Sequence, residues 1–156
     1  MKKASLFLLG LALSFVVQVG SAFAETPLSQ TVNELVGTPY KWGGTTKAGF
    51  DCSGFLRFVY NKFGVELTRT SKEQAQLGEW VSQDDLRPGD LVFFHTFGTG
   101  ISHAGVYVGN GAFAHAADDG VKIDKLSMSY YAKRYVTARR VLSDDAYAQV
   151  MKDNGN

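Results

Sequence analysis

The hydrophobic spacing of this chain changes character once, near residue 80, and that change limits the folds open to it. Before it, apolar residues recur at helical intervals. Pro27 through Val36 carries Leu28, Val32, Leu35 and Val36 and stops at Gly37, and Asp51 through Phe63 carries Phe55, Val59 and Phe63 on one stripe with Leu56 and Tyr60 beside it. Ser71 followed by Gln74 has the form of a capping box and predicts a short helix to about Trp80. Beyond it the runs shorten. Arg87-Pro88-Gly89-Asp90 reads as a turn and Leu91-Val92-Phe93-Phe94 as a buried strand, while Ala104 to Val108 and Ala112 to Ala116 flank the hairpin signal Gly109-Asn110-Gly111. Val121-Lys122-Ile123 and Val136 to Leu142 add two strands around a short helix rich in tyrosine (Tyr130, Tyr131, Tyr135). Helices first and antiparallel strands after predict an α+β fold, N-terminal helices packed on an antiparallel sheet of about five strands.

The first residues set a location. Met1-Lys2-Lys3 precedes an apolar stretch from Leu6 to Val17, and Ala22-Phe23-Ala24 follows. A basic head, a short apolar stretch and an A-x-A site describe a secretory signal peptide over residues 1–24. Gly10, Ser14 and Gln18 interrupt the stretch, which falls short of the ~20 residues of a membrane span. The expected products are a single domain over 25–156, secretion, and no membrane anchor once the leader is cut. Removing Lys2 and Lys3 takes 16 basic residues to 14 against 15 acidic ones. So balanced a charge offers no field for nucleic acid.

One cysteine, Cys52, occurs in the chain. That excludes an internal disulfide framework and a multi-Cys zinc site, and no metal or other cofactor is expected. In a secreted protein a lone thiol calls for intermolecular pairing or a function. Asp51-Cys52-Ser53 puts Cys52 on the first turn of an amphipathic helix, where free backbone N–H groups and the helix dipole favour a thiolate. The bland alternative is a buried, inert cysteine, but its polar neighbours point to exposure. A nucleophilic thiol needs a base, and His95, His103 and His115 are the three histidines. His95 reads as a solvated loop residue, whereas His103 and His115 lie across one hairpin. A two-residue loop would put these two on opposite faces of the sheet. A three-residue loop pairing Val108 with Ala112 puts both on one face, His115 opposite Gly105 and ~7–8 Å from His103 along the diagonal.

With those residues in view, the chain resembles the NlpC/P60 cysteine peptidases, a papain-like family acting on bacterial peptidoglycan. The likeness runs from about Val32 to Leu142. It rests on Gly37-Thr38-Pro39-Tyr40 with Trp42-Gly43-Gly44, Asp51-Cys52-Ser53-Gly54-Phe55, Leu67-Thr68-Arg69-Thr70-Ser71, the stretch Leu86 to Phe94, Ser102 to Gly111, and Phe113-Ala114-His115-Ala116. The resemblance implies Cys52 as nucleophile, His103 as general base and His115 as the residue orienting His103. It further implies Tyr40 in the oxyanion site and Asp51 and Ser53 in contact with substrate. A monomer is expected, acting on peptidoglycan stem peptides, with the bond from γ-D-glutamate to the diamino acid as the expected cut. Rival readings are a CHAP-type wall amidase, an inactive wall-binding module and a secreted thiol protein forming intermolecular disulfides.

Overall fold

A computed structural model describes residues 25–153, so the leader expected over 1–24 lies outside the described residues. Thr26 and Ser29 cap each other's backbone and Pro27 occupies the first turn, which starts α1 (Pro27–Leu35). Leu28, Val32 and Leu35 form its buried stripe. A two-stranded hairpin, β1 (Thr45–Thr46) and β2 (Gly49–Phe50), leads into α2 (Cys52–Asn61), which buries Phe55, Leu56, Val59 and Tyr60. After it come α3 (Ser71–Gln74), β3 (Glu79–Val81) and one 3-10 turn at Gln83–Asp85. The strands β4 (Leu91–Phe94), β5 (His103–Gly109), β6 (Ala112–Ala117) and β7 (Gly120–Lys125) follow, then α4 (Ser129–Ala132), β8 (Tyr135–Arg140) and α5 (Asp144–Val150).

Six strands form one antiparallel sheet in the order β3-β8-β4-β5-β6-β7. Both of its faces are covered. On one, Leu91, Phe93, Val106, Ala114 and Ala116 pack with the buried stripes of α1 and α2. On the other, Val92, Phe94 and Phe113 join Val81, Tyr131 and Ala138. That explains why β4 is apolar at every position rather than alternating. Burying each of these large side chains contributes roughly 1.5–3 kcal/mol. Asp90, nearly inaccessible, holds the turn ahead of β4 through the backbone N–H of Arg87 and the guanidinium of Arg140.

The α+β class matches the sequence reading, and three details differ. The capping box is Thr70 with Glu73, not Ser71 with Gln74, because Glu73 bonds back to the Thr70 backbone while the Gln74 amide is buried, donating to the Ser53 and Thr68 carbonyls. That helix ends at Gln74, and Trp80 lies in β3, which pairs with β8 as the sixth strand. Tyr135 opens β8 rather than ending the tyrosine-rich helix, and α5, capped by Ser143, was not anticipated.

Candidate active site

Cys52 is the first residue of α2, and its position is fixed by a close backbone approach. Asp51 caps the helix by accepting the Gly54 N–H at 2.7 Å. A Cβ on Gly54 would lie 2.0 Å from the Gly44 carbonyl oxygen, so this turn seats directly on the Trp42-Gly43-Gly44 loop. The thiol points at β5: Sγ lies 4.0 Å from the Ser102 carbonyl, and the Ala104 N–H points at the sulfur. Ser102 and Ala104 are the residues on either side of His103.

The hairpin delivers the second half of the site by a route the sequence did not show. Gly109 pairs with Ala112, so the loop has two residues, Asn110 and Gly111, both at positive φ (52° and 72°) as a type I′ turn requires. A bulge between Tyr107 and Gly109 absorbs one extra residue, and below it Tyr107 pairs with Phe113 and Val106 with Ala114. The predicted three-residue loop is therefore corrected, while the register it was meant to produce holds. His103 and His115 share a face, with His103 Nε2 2.8 Å from His115 Nδ1. Gly105 makes room for this: a Cβ there would come within 2.7 Å of the Phe113 ring, 2.8 Å of the Ala114 carbonyl and 3.3 Å of His115 Cβ.

His115 is fully buried, stacked on Phe113 at 4.6 Å with Tyr131 edge-on at 5.3 Å. Its far nitrogen, Nε2, lies 2.9 Å from Asp124 Oδ2 on β7. Lys122 Nζ is 3.6 Å from the same oxygen, and burial, with the charge of Asp124, raises the Tyr131 phenol. Burial, the larger cause, and the neighbouring His115 ring, which would repel a second positive charge, push His103 down to about 3. Burial lowers His115 as well, against the upward pull of Asp124. The Cys52 thiol is pushed up, chiefly by burial and further by the negative charge of Asp51, against the pull of the Ala104, Ser53 and Cys52 N–H groups. Burial thus acts against the thiolate expected at the helix N-terminus, as it acts against an imidazolium at His103.

Tyr40 pairs with Phe50 in an isolated bridge and shares with Cys52 a cavity of about 360 Å³, also lined by Trp42, Ser53 and Arg69. Burial and the charges of Cys52 and Asp51 raise its phenol, so it stays a donor. Asp51 and Ser53 line the same cavity, but their polar atoms are engaged within the protein. Asp51 accepts from the Gly54 and Gly43 N–H groups, the Ser53 hydroxyl and, at both oxygens, Arg69, which also donates to Ser53 at 2.9 Å. These two residues build the wall through Arg69, which lies in the Leu67-Thr68-Arg69-Thr70-Ser71 stretch and whose role the sequence did not reveal. A second cavity, of about 220 Å³, opens beside His103 and is lined by Phe97, Asp118, Tyr130 and Tyr131. His95 leaves β4 half-buried, its N–H donating to Arg134 O, and no hydrogen bond joins it to Cys52, His103 or His115. Among the described residues no group of three or more His, Cys, Asp or Glu is placed to hold a metal ion, and no helix is long and apolar enough to cross a membrane.

A sequence profile of the NlpC/P60 family matches residues 37–140, a span holding every group just described. The chain belongs to this family. The probable peptidoglycan endopeptidase LytE of Bacillus subtilis is 50% identical over 109 residues, covering 68% of this chain and 31% of that protein. The murein DD-endopeptidase MepS/murein LD-carboxypeptidase of Escherichia coli K12 is 48% identical over 109 residues, covering 69% of this chain and 57% of its own length. The chain thus matches about a third of one relative and somewhat over half of the other. A crystal structure of an NlpC/P60 family protein from Bacillus cereus superposes with a TM-score of 0.71 at 36% identity, over 75% of this chain and 40% of that one. The fold is the papain-like α+β architecture of these NlpC/P60 domains.

Proposed function

We propose that this chain is a secreted cysteine endopeptidase of peptidoglycan that cuts the stem-peptide bond between γ-D-glutamate and the diamino acid. The observation that carries the reading is the meeting of the lone cysteine with the strand that presents the buried His103–His115 pair. As the scissile carbonyl reaches Cys52, neutral His103 takes the thiol proton while the S–C bond forms. The resulting oxyanion is met by the Cys52 N–H and the Tyr40 phenol, each such donor being worth ~2.7–4 kcal/mol in a comparable site. Protonated His103 then gives its proton to the leaving amine as the C–N bond breaks. Water, deprotonated by His103, releases the acid from the thioester and restores the thiol.

The two cavities support one direction for the substrate. The leaving amine belongs beside its proton donor, in the well next to His103. There Asp118, with no hydrogen bond or ion pair among the described residues, complements the second amine of a diamino acid. The acyl side then lies over Cys52 and Arg69, whose Nε–H and second Nη2 proton take no protein partner among the described residues. A γ-linked glutamate leaves a free α-carboxylate near the cut, and those donors suit it. The signal-peptide pattern of residues 1–24 supports secretion to where this polymer lies, and the domain is taken to act as a monomer.

Digestion of purified peptidoglycan followed by mass spectrometry of the muropeptides tests the reading. New amino termini on the diamino acid, matched by γ-carboxyl termini on D-glutamate, are the expected products. A cut between two D-centres, or an amidase cut at the glycan-to-peptide link, would overturn the bond assignment. The absence of any new terminus would overturn the enzyme.

A further inference from the structure

His115 carries more than one hydrogen-bond partner, and its second partner constrains every proton in the site. A carboxylate oxygen only accepts, so the 2.9 Å contact of Asp124 Oδ2 with His115 Nε2 requires the hydrogen to sit on Nε2. A neutral imidazole carries one N–H. His115 Nδ1 is then bare, and the 2.8 Å contact with His103 runs from His103 Nε2–H to His115 Nδ1. By the same count His103 Nδ1 is bare.

We propose that Asp124 is a positioning residue for the reaction: by holding the hydrogen on His115 Nε2 it makes His103 donate through Nε2, which leaves His103 Nδ1 as the base for Cys52. The surroundings fit a device that acts on protons rather than on ring placement. Phe113 stacked on His115 and Tyr131 edge-on against it hold the ring without help from Asp124. Asp124 is itself held by Lys122 at 3.6 Å, while Asp119 engages Lys122 from the far side at 3.2 Å. Burial keeps both imidazoles neutral, the condition on which the proton count depends. Without Asp124, His115 could carry its hydrogen on Nδ1 and donate to His103 Nε2. His103 would then hold its own hydrogen on Nδ1, and the base would be blocked.

The inference rests on His103 being the base for Cys52, but its primary test needs no substrate. Long-range proton–nitrogen NMR on the histidine-labelled protein at pH 7, with His95→Gln to assign the third ring, reads the tautomers directly. The expected result is hydrogen on Nε2 of both His103 and His115. Hydrogen on Nδ1 of either would overturn the inference while leaving the endopeptidase reading standing. In Asp124→Leu, hydrogen should appear on Nδ1 of both rings, and kcat should fall about 10-fold to 100-fold with little change in KM. That is less than the ~10⁴-fold penalty of a wrong tautomer where the carboxylate touches the base itself. Asp124→Asn, whose amide oxygen can still accept from Nε2, should recover part of the loss. Wild-type tautomers and kcat in both variants would overturn the role of Asp124. If Asp124→Leu does not fold, the wild-type tautomers and Asp124→Asn decide.

Discussion

At Cys52 two physical effects oppose each other. The start of α2 offers backbone N–H groups and a positive dipole end, which favour a thiolate, while burial and the neighbouring Asp51 carboxylate disfavour it. Burial is the larger, and with His103 pushed down to about 3 an imidazolium that could reverse the balance is disfavoured as well. The expected consequence concerns reactivity. Alkylation of Cys52 by iodoacetamide at pH 7 should be slower than that of a free thiol of pKa ~8.5, with the rate rising as pH climbs past 9. A rate plateau already reached at pH 5–6 would mean a resting thiolate–imidazolium pair and contradict this assignment. Cys52, His103 and His115 were legible in the sequence as candidates because it offers one thiol and three imidazoles. Their charge states were not, because burial depends on packing around α2 and β5 that no local pattern records.

The β5–β6 hairpin shows the same limit for an element. Gly109-Asn110-Gly111 announced the turn, but the register depended on a bulge at Val108 that leaves no mark in the residue pattern. Asp124 escaped notice for a related reason. It joins the site only once β7 is paired with β6, Phe113 opposite Asp124 and His115 opposite Lys122, which sets all four on one face. The short capping box was misplaced by one residue because Thr70 with Glu73 and Ser71 with Gln74 both satisfy the pattern, and only burial of the Gln74 amide separates them. Gly105 is where the hairpin and the chemistry meet. Gly105→Ala should cost about 1–3 kcal/mol, because the added methyl meets the Phe113 ring and the rigid Ala114 carbonyl. It should also lower kcat by displacing His115, as urea titration and steady-state kinetics would measure. A variant with unchanged midpoint and unchanged kcat would show that the approach is not tight.

For the whole molecule, the buried histidines link stability to pH. Unfolded, each has a pKa near ~6.5, whereas folded His103 is held at about 3 and His115 is also lowered. Between those limits the unfolded chain binds protons that the folded one refuses, so the histidine contribution is fully present above about pH 6.5 and is lost as pH falls toward 3. Each proton so taken up steepens the decline by ~1.4 kcal/mol per pH unit. Melting temperatures across pH 4–8 should therefore fall on the acid side, and His103→Gln should give a shallower fall. Parallel profiles would contradict the neutral burial of His103. Attack by Cys52 on the substrate is tested by digesting peptidoglycan with the wild-type domain and with Cys52→Ala side by side, with circular dichroism to verify the fold of each. New muropeptide termini are expected from the wild type and none from folded Cys52→Ala. Termini released at comparable rates by both proteins would contradict it.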